Sequence, residues 1–344
     1  MMKQKIPDDQ LTFGTNFTDR MLLREYKDGA WQRARIMPFQ NFTLSPAALV
    51  FHYGQAIFEG LKAFRQQNGR IVLFRPDMNA ERMYNSAKRL VMPPIEKDFF
   101  VDSIKTLVKL EKDWVPTKKG TALYIRPTMI ATEAILGVRP SSEYYYFVIL
   151  SPSAPYFKEG FSPTKIKVED YYVRAALGGV GEAKTAGNYA ASLYAAKLAK
   201  EEGYSQVLWL DACNKKYVEE VGAMNIAFVL DDIIYTSPLR GTILPGITRN
   251  SVLQLSKDLG YKVKEEALAI DTIVEGIESG ALTEVFGMGT AAIIAPVGEL
   301  KYKDKVLTIN NGEIGPKTRA LYEELTGIQY GLKEDKYGWI VPVE

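Results

Sequence analysis

Apolar and polar positions in the first part of the chain follow a pattern that predicts strands and hairpins. The runs TALYIRPTMIA and EYYYFVILS have the length of strands and are rich in β-branched and aromatic residues, as half-buried strands are. Asp28-Gly29 and Asn68-Gly69 each stand between two shorter runs of this kind, and such dipeptides favour the tight turns of hairpins. We therefore expect a strand-rich unit at the start of the chain.

Other stretches repeat their apolar positions with the period of a helix. Asp77 is a candidate N-cap for a helix that begins at about Met78. The helix is expected to end at about Val91, because Pro93-Pro94 follows. Three further helices are predicted at residues 190–202, 248–258 and 315–326. Strand-like runs such as VLWLD and AAIIAPV alternate with these helices, so the pattern predicts an α/β or α+β fold.

The length of the chain favours two domains over one. Its 344 residues exceed the usual range of about 100–200 residues for a single domain. The segment SPSAPYFKEGFSP contains three prolines, a composition typical of connections. We predict a small α+β domain over residues 1–150, an interdomain connection over 151–165 and a larger domain over 166–344.

Charge and apolar composition exclude several classes of partner. The chain has 43 Lys and Arg against 41 Asp and Glu, a net charge of +2, which gives no electrostatic case for binding nucleic acid or an anionic membrane. No stretch is long and apolar enough to span a bilayer, and the start lacks the apolar core of a secretory signal. Cys213 is the only cysteine, which fits a reducing cytoplasm.

The single histidine limits the possible chemistry. One His and one Cys cannot form a Cys/His zinc site. A Ser-His-Asp or Cys-His mechanism would depend on His52 alone, and no GxSxG motif is present. We therefore expect His52 to be structural, and any catalytic base to be Lys, Asp, Glu or Tyr, or a cofactor to supply the chemistry.

The stretch GGVGEAKTAGNY, residues 178–189, places Lys184 in irregular, glycine-rich chain just before a predicted helix. Glycines permit the backbone to approach a ligand closely, and a lysine with a lowered pKa is a nucleophile for carbonyl compounds. A solvated lysine in a flexible loop explains the same pattern. The stretch alone leaves both explanations open.

Three further motifs suggest sites for anions and for a cation. In LPGITRNSVL, the N–H groups of Ile247 and Thr248 lie at the start of a helix, where anions bind. The turn in FGMGTAA can present successive N–H donors to a phosphate or carboxylate. In YVEEVGAMN, Glu219 and Glu220 point to opposite sides of an extended chain. Each motif alone also has a structural explanation, but together with a lysine they indicate pyridoxal phosphate (PLP).

These motifs, in their order along the chain, resemble one family. FHYGQAIFEGLKAFR, LFRPDMNAERM, YIRP, YYVRAALGGVGEAKTAGNYAASL, EEVGAMN, LPGITR and VFGMGTAA are similar to the motifs of the branched-chain amino acid aminotransferases, which are fold-type IV, or class IV, PLP enzymes. The resemblance extends from Phe51 to Val297. It implies a homodimer of two-domain subunits, each with a small α+β domain and a larger domain with a mixed, barrel-like sheet, and PLP at the domain interface.

The resemblance assigns cofactor-binding roles to seven residues. It implies that Lys184 binds PLP covalently and acts in catalysis, and that Glu220, rather than Glu219, faces the pyridine nitrogen. Tyr189 corresponds to the tyrosine that binds the phenolic oxygen. The phosphate is expected to contact Arg82, Ile247, Thr248 and Thr290.

The resemblance also implies a substrate pocket. Thr290 and Ala291 correspond to backbone donors for the α-carboxylate, and Arg126 to a residue that accepts the second carboxylate of glutamate; an internal ion pair is an equally good explanation for Arg126. The apolar lining is expected to include Tyr53, Phe58 and Tyr156, with Leu136 and Val138 on a loop from the partner subunit. Some members carry a CxxC motif where this chain has Ala292 and Ala295, so regulation by thiol oxidation is not expected at this place.

The activity implied is ping-pong transfer of the amino group of L-leucine, L-isoleucine or L-valine to 2-oxoglutarate, which yields a branched 2-oxo acid and L-glutamate. Two alternatives share the fold, a D-amino acid aminotransferase and an aminodeoxychorismate lyase. A third alternative, a phosphate- or nucleotide-binding protein without catalysis, needs only the glycine turns and the helix N-terminus. Colour, borohydride reduction and assays with L-leucine and D-alanine separate them.

Overall fold

A computed structural model describes residues 5–154 and 160–343. The chain forms two compact units. The first takes its described residues from Met1–Tyr156, Ala183–Ala186 and Gly327–Glu344, and the second from Phe157–Glu182 and Gly187–Thr326. No helix in these residues is long and apolar enough to cross a membrane.

The strands and helices mix along the whole described chain. The strands are β1 Arg20–Lys27, β2 Ala30–Trp31, β3 Arg35–Pro38, β4 Ala56–Phe58, β5 Leu61–Arg65, β6 Ile71–Phe74, β7 Ala122–Ala131, β8 Tyr144–Ser153, β9 Thr164–Glu169, β10 Gln206–Leu210, β11 Val218–Val221, β12 Met224–Leu230, β13 Ile233–Thr236, β14 Lys262–Glu265, β15 Leu282–Gly289, β16 Ile293–Tyr302, β17 Lys305–Thr308 and β18 Ile340–Pro342. The helices are α1 Leu49–Tyr53, α2 Pro76–Arg89, α3 Lys97–Leu110, α4 Ala186–Glu201, α5 Ile247–Asp258, α6 Ile270–Ser279 and α7 Pro316–Gln329.

The first unit is an antiparallel sheet with helices packed on one face. Its strand order is β18-β6-β5-β7-β8-β1-β2, with β3 paired to β1 and β4 to β7. Helix α3 buries Phe100, Ile104 and Leu107 against the sheet core, because positions i, i+4 and i+7 lie on one helix face. The hairpin predicted at Asp28-Gly29 is confirmed: both residues have positive φ between β1 and β2, as a two-residue turn requires.

Helix α2 begins differently from the sequence prediction. Asp77 does not cap it; Arg75 is the N-cap residue, with a φ of 48°, and Pro76 is the first helical residue. Proline suits this position because its φ is already helical. It also lacks an N–H, which in the first turn would have no intrahelical acceptor. Asp77 therefore lies inside the first turn, where a negative charge is still favourable.

The second unit is built around a closed barrel. Its strands follow the order β11-β10-β9-β16-β15-β12, and a further pairing of β11 with β12 closes the ring. Strand β9 runs parallel to β10 and β16, whereas the other neighbours in the ring are antiparallel. The mixed, barrel-like sheet expected for the larger domain is thus confirmed. Its core is apolar and includes Ile226, Phe228 and Leu300.

A buried carboxylate supports helix α7. Glu284 of β15 accepts hydrogen bonds from the backbone N–H groups of Lys317 and Thr318, at 3.0 and 2.7 Å. These N–H groups belong to the first turn, where no intrahelical acceptor exists. Glu284 on β15 therefore accepts the hydrogen bonds that an N-cap side chain of the helix would usually accept.

The compact units differ from the sequence-based domains at two segments. Residues 327–344 group with the first unit, because β18 pairs with β6 and the Tyr330 hydroxyl donates to the carbonyl of Thr121 at 3.0 Å. Residues 183–186 also group with the first unit. The sequence-based division had placed both segments in the domain that begins at residue 166.

Candidate active site

Lys184 lies on a short segment whose backbone is fixed on both sides. Its N–H donates to the Ser86 hydroxyl at 2.9 Å, and its carbonyl accepts from the N–H of Phe58 at 3.0 Å. The neighbouring Thr185 forms a bridge with Ile57 of β4. The lysine is half-buried, so it is not the solvated lysine of a flexible loop.

The Lys184 side chain has an aromatic and a carboxylate environment. Its Nζ lies 4.9 Å from the centroid of the Phe58 ring. Glu59 is completely buried, which by itself raises the pKa of its carboxyl. The positive charges of Arg82 and Lys184 and the hydrogen bonds from Arg82 and Asn79 reverse this effect, so the pKa of Glu59 lies below its ordinary value.

Arg82, a predicted phosphate ligand, is held by a carboxylate that sequence reasoning missed. Its Nε and Nη2 donate to the two oxygens of Glu59, at 2.7 and 2.9 Å. Asn79, one turn earlier on α2, donates to Glu59 at 2.7 Å. Glu59 stands in the motif FEGLKAFR directly after Phe58, and only its acidity inside an apolar run could have indicated its role.

Arg126 has no carboxylate partner in residues 5–154 and 160–343. Its Nη2 donates to the Tyr124 hydroxyl at 3.0 Å, and its Cζ lies 4.7 Å from the centroid of the Phe58 ring. Its Nε is buried and makes no hydrogen bond there. The internal ion pair considered from the sequence is therefore not present in the described residues.

The residues expected to line an apolar pocket fall into two groups. The centroid of the Phe58 ring lies 4.9 Å from Lys184 Nζ and 4.7 Å from Arg126 Cζ. Tyr53 is instead exposed and donates to the backbone carbonyl of Leu136 at 2.5 Å, so it belongs with the loop of Leu136 and Val138, whose side chains are 62% and 84% exposed. Tyr156 lies outside the described residues.

In the second unit, Glu220 is a buried carboxylate whose two oxygens both have donors. It is 2% exposed and accepts hydrogen bonds from the backbone N–H of Leu244 at 2.7 Å and from Asn225 at 3.3 Å. Its other oxygen pairs with Arg174 Nε at 3.0 Å. Three donors on a buried carboxylate favour its ionised form.

Glu219 has a different environment, as the alternation of an extended strand predicts. It is half-buried and accepts a hydrogen bond from the Thr242 hydroxyl at 2.6 Å. Burial raises the pKa of Glu219, and the Thr242 hydrogen bond and the charge of Arg174 offset this only in part. A carboxylate meant to keep a ring nitrogen protonated must itself be ionised, which fits Glu220 better.

Helix α5 presents an uncapped N-terminus. No side chain caps it, and the first N–H groups of any helix lack intrahelical acceptors and carry its positive dipole end. The first two helical residues are the predicted phosphate donors Ile247 and Thr248, both buried. Gly246 precedes them, and any Cβ there would lie 1.9 Å from the Asn225 Oδ1, so only glycine fits.

Strand register places the turn of Thr290 and Ala291 at the same end of the barrel as Glu220. Glu220 lies opposite Asn225, which lies opposite Met288, and β15 ends one residue later. Thr290 and Ala291 are half-buried in the turn before β16. Tyr189 lies in the first turn of α4 and is also half-buried.

The residues present fit the cofactor that the sequence predicts. The first unit supplies an amine fixed at its backbone, and the second supplies an ionised carboxylate and a helix N-terminus at one end of a barrel. These are the groups needed for an aldehyde, a protonated ring nitrogen and a phosphate, respectively. No cluster of His, Cys, Asp and Glu that could hold a metal ion occurs in the described part of the chain.

Comparison with known proteins agrees with this chemistry. The family model for amino-transferase class IV matches residues 56–300. The chain is 50% identical over 342 residues to branched-chain-amino-acid aminotransferase 2 of Bacillus subtilis (strain 168), covering 99% of this chain and 94% of that protein. It is 53% identical over 344 residues to a probable branched-chain-amino-acid aminotransferase of Staphylococcus epidermidis, covering 99% and 96%.

A solved structure extends the likeness to the fold. The branched-chain amino acid aminotransferase from Escherichia coli has 26% identity and a TM-score of 0.77, with 95% of this chain and 99% of that chain covered. The range that the family model matches includes Lys184, Glu220 and α5. The chain therefore belongs to the class IV aminotransferases, in the group of the branched-chain-amino-acid aminotransferases.

Proposed function

We propose that the protein transfers the amino group of L-leucine, L-isoleucine or L-valine to 2-oxoglutarate, with pyridoxal 5'-phosphate as cofactor. The observation that carries this proposal is the amine of Lys184, which lies beside Phe58 on a backbone fixed by β4 and α2. The names of the relatives, at about half identity over the whole chain, support branched-chain substrates. They also favour this activity over a D-amino acid aminotransferase or a lyase.

The cofactor is held by residues of defined chemistry. When bound, PLP withdraws electrons from the substrate Cα and makes its proton acidic. Glu220, ionised by its three donors, holds the proton on the ring nitrogen, and the Lys184 amine acts as base and then as acid for the Cα proton. The remaining cofactor contacts in this proposal are Arg82, Tyr189, Ile247, Thr248 and Thr290.

Substrates are selected by an apolar lining and by two carboxylate sites. Phe58 contributes to the lining together with Tyr156, and a pocket of this kind discriminates a methylene by only about 1–3 kcal/mol, so all three branched amino acids are accepted. Thr290 and Ala291 bind the α-carboxylate. Arg126, without a carboxylate partner in the described residues, binds the second carboxylate of glutamate and 2-oxoglutarate.

The functional form in this proposal is a homodimer. Leu136 and Val138 expose most of their apolar surface on one loop, and packing of this loop against the partner subunit would cover it. Because the Tyr53 hydroxyl binds the Leu136 carbonyl, Tyr53 accompanies this loop toward the partner subunit. The exposed single thiol of Cys213 fits a cytoplasmic location, where thiols stay reduced.

Absorbance spectroscopy tests the proposal directly. The purified protein with PLP is expected to show a visible band that L-leucine removes and 2-oxoglutarate restores, and borohydride should fix the cofactor on Lys184. Lys184→Ala should abolish transamination, whereas Lys200→Ala, an exposed lysine on α4, should not. Turnover retained in Lys184→Ala, or activity with D-alanine but not L-leucine, would refute the assignment.

A further inference from the structure

Two buried side chains of the second unit hold both oxygens of Glu220, and neither has a role in the proposed chemistry. Arg174 and Asn225 are 8% and 5% exposed. Both belong to motifs noted in the sequence, YYVRAALGG and EEVGAMN. The resemblance assigns neither of them a contact with the cofactor.

Arg174 connects three segments through its guanidinium. Its Nε pairs with Glu220 at 3.0 Å, its Nη1 donates to the carbonyl of Thr242 at 2.8 Å, and its Nη2 donates to the carbonyl of Gly181 at 3.2 Å. A Cβ at Gly181 would lie 2.4 Å from the Thr242 carbonyl oxygen, so these two loops are closely packed. The planar guanidinium therefore fixes the orientation of the carboxylate as well as neutralising it.

Asn225 connects Glu220 to the start of α5. Its Nδ2 lies 3.3 Å from a Glu220 oxygen and 3.0 Å from the carbonyl of Leu244, whose own N–H donates to the same Glu220 oxygen at 2.7 Å. Its Oδ1 occupies the space beside Gly246 that a Cβ would fill. Only Pro245 separates Leu244 from Gly246, the N-cap residue of α5.

We propose that Arg174 and Asn225 are positioning residues that set the separation between the Glu220 carboxylate and the N-terminus of α5. This inference rests on the proposed function, in which these two features bind the ring nitrogen and the phosphate of one cofactor. Since only a short linker joins the phosphate to the rigid ring, the affinity depends on both binding features being aligned before the cofactor binds. Asn225 acts mainly by alignment, through one long hydrogen bond to Glu220, whereas Arg174 also supplies the positive charge that stabilises the ionised carboxylate.

Titration of the cofactor-free homodimer with pyridoxal 5'-phosphate tests this inference. Asn225→Ala and Arg174→Met each remove a hydrogen bond to a charged group. We therefore expect the affinity for pyridoxal 5'-phosphate to fall by roughly 10- to 100-fold in each variant. The pH dependence of the visible absorption should shift in Arg174→Met, which loses a charge, and much less in Asn225→Ala, which loses one long hydrogen bond. Arg174→Lys should return the pH dependence toward that of the native protein while the affinity stays reduced, because it restores the charge but not the planar fork.

Controls separate this inference from the proposed function. Lys167→Gln removes a surface ion pair of the second unit and should bind PLP like the native protein. Circular dichroism verifies the fold, and Asn225→Ser provides a second, milder variant. Native affinity in both folded Asn225 variants, or loss of fold in both, would overturn the positioning role. Failure of the native protein to bind PLP would instead overturn the proposed function.

Discussion

Among the described residues, each unit contains a deeply buried arginine–glutamate pair, and a different member of each pair is expected to meet the cofactor. In the first unit, the arginine of the Arg82–Glu59 pair is the member expected to meet the cofactor. In the second unit, it is the glutamate of the Arg174–Glu220 pair. All four side chains are at least nine-tenths buried.

The comparison shows that a buried, charged functional group needs an oppositely charged side chain that takes no part in the reaction itself. An ion buried alone costs several kcal/mol, which a counter-charge with good geometry offsets. All four residues belong to motifs of the sequence, but the roles of Glu59 and Arg174 are identified only from their distances to Arg82 and Glu220. Arg126 contrasts with both arginines, because no carboxylate in the described residues pairs with it.

The largest expected effect comes from breaking the pair of the first unit. Glu59→Gln leaves the Arg82 guanidinium buried without a counter-charge, which should cost about 3–5 kcal/mol of unfolding free energy. Urea denaturation of the cofactor-free protein measures it. The double variant Glu59→Gln/Arg82→Met should recover most of the loss, and equal losses in the single and double variants would contradict the pairing.

Replacing a buried lysine of the first unit should stabilise the protein, whereas Glu59→Gln should destabilise it. Burial lowers the pKa of Lys62 to about 7 from its ordinary 10.5. The unfolded chain therefore binds more protons between these two values, and stability rises with pH across that window. Lys62→Met should stabilise the protein by a few kcal/mol at pH 7 and below, with the gain vanishing above pH 10.5.

Thermal unfolding at a series of pH values measures the Lys62 effect. Lys165→Met, on the exposed side of β9, provides a matched control without a gain. A gain for Lys62→Met that is independent of pH would show that packing, rather than the charge, causes it.

Arg126 tests the contrast between a paired and an unpaired arginine. Arg126→Leu removes a charged partner for the second carboxylate of glutamate, which should lower kcat/KM for L-glutamate by roughly 10- to 100-fold. The half-reaction with L-leucine should change much less, because leucine has no second carboxylate. Single-turnover absorbance with each amino acid measures both, and equal losses would assign Arg126 a structural role.

The smallest effect is expected at the surface. Hydrogen bonds from Lys167 and Lys301 lower the pKa of Glu202 to about 2. Its contribution is therefore present above the ordinary pKa of 4.5 and is lost as the pH falls toward 2. Glu202→Gln should lower the free energy of unfolding by less than about 1 kcal/mol at pH 7, as measured by thermal unfolding. A larger decrease would show that this surface carboxylate contributes as much as the buried pairs.

Local patterns predicted much of the fold but not its long-range pairings. The positions of α2 and α5 and the Asp28-Gly29 turn follow from periodicity and turn chemistry, which act over a few residues. The different environments of Glu219 and Glu220 also follow from strand alternation. The pairing of β11 with β12 that closes the barrel, and the return of β18 to β6, depend on packing that no local pattern encodes.

The candidate site shows the same limit. The glycine-rich setting made Lys184 a candidate and the resemblance assigned its role, whereas α5 was predicted from its helix start. Glu59 and Arg174 were not assigned, because each acts through a neighbour that is distant in sequence. Asn225 lies only five residues from Glu220, but its hydrogen bond to the Leu244 carbonyl joins segments that no local pattern connects. The Asp77 cap was wrong because proline at position 76 already begins the helix.

The return of β18 to β6 has a consequence for biosynthesis. The N–H of Arg75, at the start of α2, donates to the carbonyl of Trp339 at 2.8 Å, and the Arg75 guanidinium lies over the Trp339 ring. The ribosome has to synthesise and expose the chain up to residue 339 before this contact forms, although most of the unit that it completes precedes residue 157. Nascent chains halted before residue 339 should therefore expose the edge of β6 and depend on chaperones to avoid aggregation.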